Sequence, residues 1–277
     1  TIAYCKDAPA SPLTATVTAG TGNTLVWYDP NGTTVLSGAP TPSTTSLGTT
    51  TYFVAQRNSA GCEGPQASIT VNIDQIPSAP SATLSYTYCK DALLASPLTA
   101  SPQSGHTLVW YELDGVTERT SALTPLTGTV GTTTYYVAQK NISTDCVGPQ
   151  TEIEVTVLTL PVAPSVDTTS FDYCTGASAT TLDATASTGN TLVWYDSDAS
   201  TVLPGAPTPQ TTTAGTETYY VAQKNANDCV SPQVSITVTV SDAPSLPGVT
   251  PTIAYCKDAP ASPLTATVTA GTGNTLV

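Results

Sequence analysis

Along the first repeat-sized stretch of this chain, apolar and polar positions alternate in short bursts. "PLTATVT" (Pro12–Thr18), "TLVWYD" (Thr24–Asp29), "TTYFVAQ" (Thr50–Gln56) and "ASITVNI" (Ala67–Ile73) each put every second side chain on one face. A period of two predicts strands with one buried side. In the second burst Leu25 and Trp27 share a face, and Val26 and Tyr28 take the other. "AGTGN" precedes that strand as a turn. "DPNG" (Asp29–Gly32) follows it and predicts a hairpin, with Pro presetting φ and Gly supplying a positive φ. No segment has helical period. Short strands broken by turn signals every 8–12 residues or so predict an all-β protein of antiparallel sandwiches.

The same word order returns further along. "TLVWYE" (Thr107–Glu112) and "TLVWYD" (Thr191–Asp196) repeat the Trp strand, and "TYYVAQKN" at Thr134–Asn141 and Thr218–Asn225 repeats "TYFVAQRN" at Thr51–Asn58. Cysteines at 5, 89, 174 and 256 lead the repeats with spacings of 84, 85 and 82 residues. Between repeats stand "IPSAP" (Ile76–Pro80), "LPVAP" (Leu160–Pro164) and "APSLP" (Ala243–Pro247), read as short stiff connectors rather than ligands for a proline-recognising module. The expected organisation is therefore Ig-like repeats at 1–75, 76–159 and 160–242, the second and third beginning with their Pro linkers, and then a linker with the start of a fourth repeat at 243–277. Together they would form an extended rod. Residues Thr252–Val277 repeat Thr1–Val26 without a difference. On this reading the chain is a window of a longer array, its last 26 residues lack the rest of their domain, and Cys256 is unpaired because that domain is cut.

Composition narrows the function classes. Thr supplies 55 of the 277 residues, charged residues 10%, and the net charge is −13. That excludes a polybasic surface for nucleic acid or anionic lipid. No apolar run reaches the roughly 20 residues that cross a bilayer. With one histidine in the chain no Ser/His/Asp or Cys/His set can be assembled, and an enzyme is not expected. His106 occupies the turn slot filled by Asn23 and Asn190 in the other repeats.

A second cysteine follows in each repeat, at Cys62, Cys146 and Cys229, leading into "CEGPQ", "CVGPQ" or "CVSPQ". One pair per repeat makes Cys5–Cys62, Cys89–Cys146 and Cys174–Cys229 the economical choice among the possible connectivities. Disulfides in every domain imply an oxidising, extracellular location. The spacings give no Cys-x-x-Cys and no metal site.

The pattern "YC…TLVWY…TYYVAQ…C…PQ…ITV" resembles the bacterial Ig-like repeats of very large surface proteins in the Bacteroidetes, which are exported by the type IX secretion system. It departs from antibody-type domains in that Cys62 lies ten residues past Tyr52, in a loop. The resemblance implies stalk repeats of a long cell-surface adhesin filament, associated with the outer membrane and serving surface adhesion or gliding motility. The partners it implies are neighbouring repeats of the same chain, with surface polysaccharide or gliding machinery beyond them.

The rival reading is a glycan-binding array, in which Trp27–Tyr28, Trp110–Tyr111 and Trp194–Tyr195 stack on sugars. Core packing of Trp27, Trp110 and Trp194 is the expected role instead. Tyr52, Tyr135 and Tyr219 are expected as corner residues bonding to backbone. "DPNG" and "DSD" (Asp196–Asp198) could open a weak Ca²⁺ loop, but they are also ordinary turn chemistry, and no cofactor is expected. Lys6, Lys90 and Lys257 follow the leading cysteines, but Thr175 holds that slot in the third repeat, which argues against a general isopeptide crosslink. Asp167-Thr168-Thr169 matches an O-glycosylation acceptor pattern of the same bacterial group, with Thr168 as the candidate.

Overall fold

The computed structural model describes residues 1–17, 22–93, 95–268 and 275. It contains strands and no helix among them, in two compact units, Thr1–Leu158 and Thr159–Val277.

The first unit opens with β1 (Ile2–Cys5), β2 (Thr24–Tyr28), β3 (Gly48–Arg57) and β4 (Ala67–Asp74), ordered β1-β4-β3-β2 in one sheet. Registers such as Trp27 opposite Val54 and Tyr52 opposite Ile69 keep the alternating residues on one face. Leu13, Trp27, Val54, Val71 and Ile73 form the core there, with Ile2, Tyr4 and Leu25 packed against it. The first repeat therefore has the all-β, Ig-like character its pattern predicts, with one addition. β1 joins β4 in parallel, which no hairpin can produce, so the chain must cross the domain between them.

The strand expected at Pro12–Thr18 does not form over the described part of that segment, and Thr18 lies outside the described residues. The alternation is nonetheless used: Leu13 is buried, and its N–H donates to the Pro40 carbonyl at 2.9 Å. Leu98 and Leu182 do the same, to Leu123 and Pro207. These leucines pack against the buried face of the main sheet without joining its ladder. The hairpin after β2 is present, with the Asp29 N–H donating to Thr34 and Tyr28 bridging Val35.

The same unit continues with β5 (Ser81–Ala82), β6 (Ser85–Cys89), β7 (Ala100–Ser101), β8 (His106–Tyr111), β9 (Glu118–Arg119), β10 (Gly131–Asn141) and β11 (Thr151–Leu158). The main sheet runs β6-β11-β10-β8-β9, with β6 parallel to β11, while β5 and β7 pair in the opposite layer. Trp110, Tyr135, Val137, Ile153, Val155 and Leu98 fill this second core.

The other unit holds β12 (Ser170–Cys174), β13 (Thr191–Tyr195), β14 (Val202–Leu203), β15 (Gly215–Lys224) and β16 (Val234–Ser241), ordered β12-β16-β15-β13-β14. Its core is built on Leu182, Trp194, Tyr219, Val221, Ile236 and Val238. Beyond it, among the described residues, only β17 (Gly248–Val249) and β18 (Ala266–Thr267) pair, two residues each.

Candidate functional site: the junction between successive repeats

The cysteines do not pair within repeats. Cys5 of the first repeat is bonded to Cys146 of the second, across 141 residues, with Cα atoms 5.5 Å apart. The expected Cys5–Cys62 and Cys89–Cys146 bonds are therefore absent, and Cys174–Cys229 also fails, because Cys62 and Cys174 are free and exposed. Cys256 is free as well, while Cys89 and Cys229 are disulfide-bonded. Sequence spacing counts cysteines but cannot choose among connectivities. Here the end of β1 carries Cys5 outward to the neighbouring repeat.

Cys146 sits on a face built by the loop between β10 and β11. The Asn141 side-chain oxygen accepts from the N–H groups of Ser143 and Thr144, and the Asn141 N–H donates to the Cys146 carbonyl at 2.9 Å. Beside it lies Gln139. On β10 it shares the inward face with Tyr135 and Val137, and it is fully buried. Its amide is satisfied on both sides: Nε2 donates to the Ser78 carbonyl at 2.8 Å, and Oε1 accepts from the Gln103 N–H at 2.8 Å. Ser78 belongs to the Pro linker. Gly148 completes the contact, since a Cβ there would stand 2.4 Å from the Pro77 carbonyl oxygen. Only a residue without a side chain lets the linker lie this close. Thr151 Oγ1 donates to the Pro80 carbonyl at 2.9 Å. The linker is thus clamped onto the repeat that follows it.

Gln223 repeats this arrangement, buried and donating to Val162 O at 2.7 Å while accepting from the Ser187 N–H at 2.7 Å. Burial of an unpartnered amide costs roughly 1–3 kcal/mol, so each Gln is fixed by its two partners. Sequence reading passed over these residues. Their signal was Gln at the inward position of all three "VAQ" words, where a solvent-facing polar residue would break the alternation.

The other candidate residues fall as follows. Trp27, Trp110 and Trp194 are 5%, 3% and 4% exposed, inside the sandwiches. Tyr135 and Tyr219 are buried and Tyr52 half-buried. Tyr135 Oη accepts from the Leu126 N–H at 3.3 Å, whereas Tyr219 donates to Glu217 at 2.6 Å, a carboxylate rather than backbone. Burial, then the Glu217 bond, pushes the Tyr219 phenol above its ordinary pKa. On the outer face Tyr28 is covered by the trailing loop, where Glu63 accepts from Tyr28 and from Arg57. Those two bonds hold the Glu63 carboxyl below the usual range.

His106 begins β8 with Nδ1 2.9 Å from the Ser104 carbonyl, a turn contact. Lys6 pairs with Asp7 at 2.7 Å and Lys90 with Asp91 at 3.5 Å. At the hairpin tips the carboxylates face their own chain. Asp198 accepts from the Thr201 hydroxyl and from the N–H groups of Thr201 and Ser200, which together hold it well below the usual carboxylate range. Asn31 Oδ1 accepts from the Thr33 N–H and hydroxyl. Thr168 is exposed before β12. A cleft of about 580 Å³ lies against β15 and β16, lined by Gln210, Glu217, Thr218 and Tyr220. No helix among the described residues is long and apolar enough to cross a membrane.

A family model described as "Ig-like domain CHU_C associated" matches residues 1–74 and 161–241, more than half of the chain. No curated protein matches. Among solved structures, Drosophila N-cadherin EC1-3 is 13% identical with a TM-score of 0.23, over 87% of this chain and 97% of that one. Fibronectin(III)-like modules of Clostridium thermocellum CbhA are 15% identical with a TM-score of 0.31, over 60% and 92%. A Bacteroides ovatus SGBP-B, solved with a mixed-linkage heptasaccharide, is 11% identical with a TM-score of 0.21, over 89% and 68%.

Proposed function

The chain belongs to the family of Ig-like, CHU_C-associated domains, and we propose that its repeats are load-bearing stalk segments of a long, secreted cell-surface adhesin. In the finer form of this reading the adhesin serves surface adhesion and gliding motility, as SprB does, after export by the type IX system. The observation that carries the reading is the Cys5–Cys146 bond. Residues 6–145 lie inside the loop it closes. Tension applied at the two ends of the chain crosses the Cys5–Cys146 bond, so the loop cannot be drawn out to its full length. Fully extended, those residues would add about 480 Å at ~3.4 Å each, and the bond withholds that length. A spacer that holds an adhesive tip at fixed reach needs this property. Trp burial supports the same reading, since no Trp is left for a sugar to stack on, and Tyr255 is the one exposed aromatic among the described residues.

Single-molecule stretching of the oxidised and reduced chain tests the proposal. The oxidised chain should release only the length outside residues 6–145, and reduction should add the remainder. Release of full length without reduction would overturn it. Glycan-array binding that depends on Tyr195 or Tyr220, both half-buried on the outer face, would favour the sugar-binding reading instead.

A further inference from the structure

The first half of the long strand in each repeat has a neighbour on one side only. β10 pairs with β11 from Gly131 onward, but with β8 not before Tyr136. Likewise β3 meets β2 not before Phe53, and β15 meets β13 not before Tyr220. Along a strand the main-chain groups of successive residues point to opposite sides. The Gln139 carbonyl accepts from Gly148 and the Asn141 N–H donates to Cys146, both on the β11 side. Odd residues of β10 therefore face β11, and Thr132 and Thr134 present their N–H and C=O groups to the open side. Neither makes a main-chain bond there among the described residues. An open strand edge of this kind is a template for another extended chain.

The side chains round this edge differ between repeats. In the second repeat, in the interior of the chain, Leu113, Leu126 and Val130 are 51%, 78% and 42% exposed. With Thr132, Thr133 and Tyr135 they line a cleft of about 290 Å³ that no charged side chain enters. Aligning the repeats puts Ser197, Gln210 and Ala214 at the same places in the third, where Glu217 stands in the slot of Thr133 and lines the cleft. In the first repeat Pro30 and Ser43 replace the two leucines. The sister repeats thus build the same strand without leucines beside it, so folding does not explain why the second repeat exposes two.

We propose that two copies of this chain associate through this edge, β10 antiparallel to β10, about a two-fold axis at Thr133. The edge is complementary to itself. A register with Thr132 of one copy opposite Thr134 of the other makes both of these hydrogen-bonded pairs, each exchanging its N–H and C=O groups. It sets Thr133 against its own counterpart, a favourable cross-strand pair. It also brings Val130 of each copy to the end of the other's β8, beside Leu113. A two-fold contact closes on itself, so the product is a dimer and not a fibre. Charge favours this site for a copy of a chain whose net charge is −13, because no charged side chain lines it. In the third repeat the same register would set Glu217 directly against Glu217, and like charges in that position repel. A foreign peptide strand would use the same main-chain groups, but only a second copy brings matching leucines to both ends of the contact. The inference is independent of the stalk reading, since the contact does not alter how a single chain extends under load.

The test uses the full chain with its free thiols at Cys62, Cys174 and Cys256 alkylated, so that no new disulfide forms. Sedimentation equilibrium over a wide concentration range should show a reversible monomer–dimer equilibrium. Amide exchange read by NMR should slow at Thr132 and Thr134 as the dimer forms, and stay fast at Thr216 and Thr218, the matching positions of the third repeat. Two substitutions take their residues from that repeat, which folds with them in place. Thr133→Glu should weaken association about tenfold or more, because carboxylates would then meet across the axis. Leu126→Gln should weaken it by a smaller factor, with the β-sheet spectrum of both variants unchanged. A chain that stays monomeric at every concentration would overturn the proposal. So would a dimer whose Thr132 and Thr134 amides exchange as fast as in the monomer, or one that Thr133→Glu and Leu126→Gln both leave as tight as the parent.

Discussion

Thr1–Val26 and Thr252–Val277 are the same 26 residues in two settings, and those of them that the structure describes fold differently. At the start, Ile2–Cys5 is a strand beside β4, Ile2 and Tyr4 pack against the core, and Leu13 is 3% exposed. At the end, Ile253–Cys256 forms no strand, and Ile253, Tyr255 and Leu264 are 42%, 45% and 82% exposed. One feature survives both settings. The Ala8 N–H donates to Cys5 O and the Ala259 N–H to Cys256 O, each at 3.1 Å, with Asp7 at φ 62° and Asp258 at φ 64°. The turn after the leading cysteine is thus encoded locally. The strand before it and the buried leucine after it exist only where a sheet receives them.

The largest effect that could break this comparison is at the cysteines. Closing a loop of 141 residues is worth roughly 5 kcal/mol on the chain-entropy model. Cys5→Ser should therefore lower stability in denaturant titrations by up to that amount, while Cys256→Ser should change it by no more than about 0.5 kcal/mol. Peptide mapping of the parent should recover the Cys5–Cys146 bond. A Cys5–Cys62 bond instead would restore the pairing within repeats and remove the mechanical argument with it.

Next comes the core. Trp27→Ala should cost about 3–5 kcal/mol, because a large aromatic at the centre of a small sandwich leaves a cavity its neighbours cannot fill. The duplicated leucine is the sharper probe. Leu13→Ala should cost about 2–5 kcal/mol and Leu264→Ala less than about 0.5 kcal/mol, although the two lie in identical sequence. Equal costs would mean that the final segment builds a core of its own.

These contrasts show which parts of the molecule could be read in advance. Trp27, Val54 and Val71 announced themselves because alternation sends them to one face of the sheet, although Val26, Tyr28 and Ala55 on the other face are buried as well, which alternation does not foretell. The "DPNG" hairpin was legible because its backbone needs those residue types. Leu13 was legible as buried but not as strandless, since alternation reports which face a residue takes and not whether its backbone finds a ladder. The parallel placement of β1 is a property of the whole domain and leaves no local trace. The junction was hidden for two reasons. Gln139 and Gln223 are polar residues buried by partners far away in sequence, Ser78 and Val162 among them. Cysteine spacing, for its part, is equally compatible with bonds inside a repeat and bonds between repeats.

The smallest effect tests the one feature common to both copies. Asp7 and Asp258 hold a left-handed backbone that costs an ordinary L-residue roughly 1 kcal/mol and glycine nothing. The third repeat makes the substitution itself, with Gly176 in that slot at φ 80° and the same bond from Ala177 to Cys174. Asp7→Gly removes the backbone strain, but it also loosens the unfolded chain by about 0.4–1 kcal/mol. It loses the Lys6–Asp7 pair as well, which is solvent-exposed and worth at most about 1 kcal/mol. The three terms nearly cancel, so Asp7→Gly should shift stability by less than about 1 kcal/mol in either direction. Asp258→Gly should not register in global unfolding at all. Backbone coupling constants should still report a positive φ at both glycines. A negative φ at residue 258 beside a positive one at residue 7 would show that the turn, like the strand, depends on the sheet behind it.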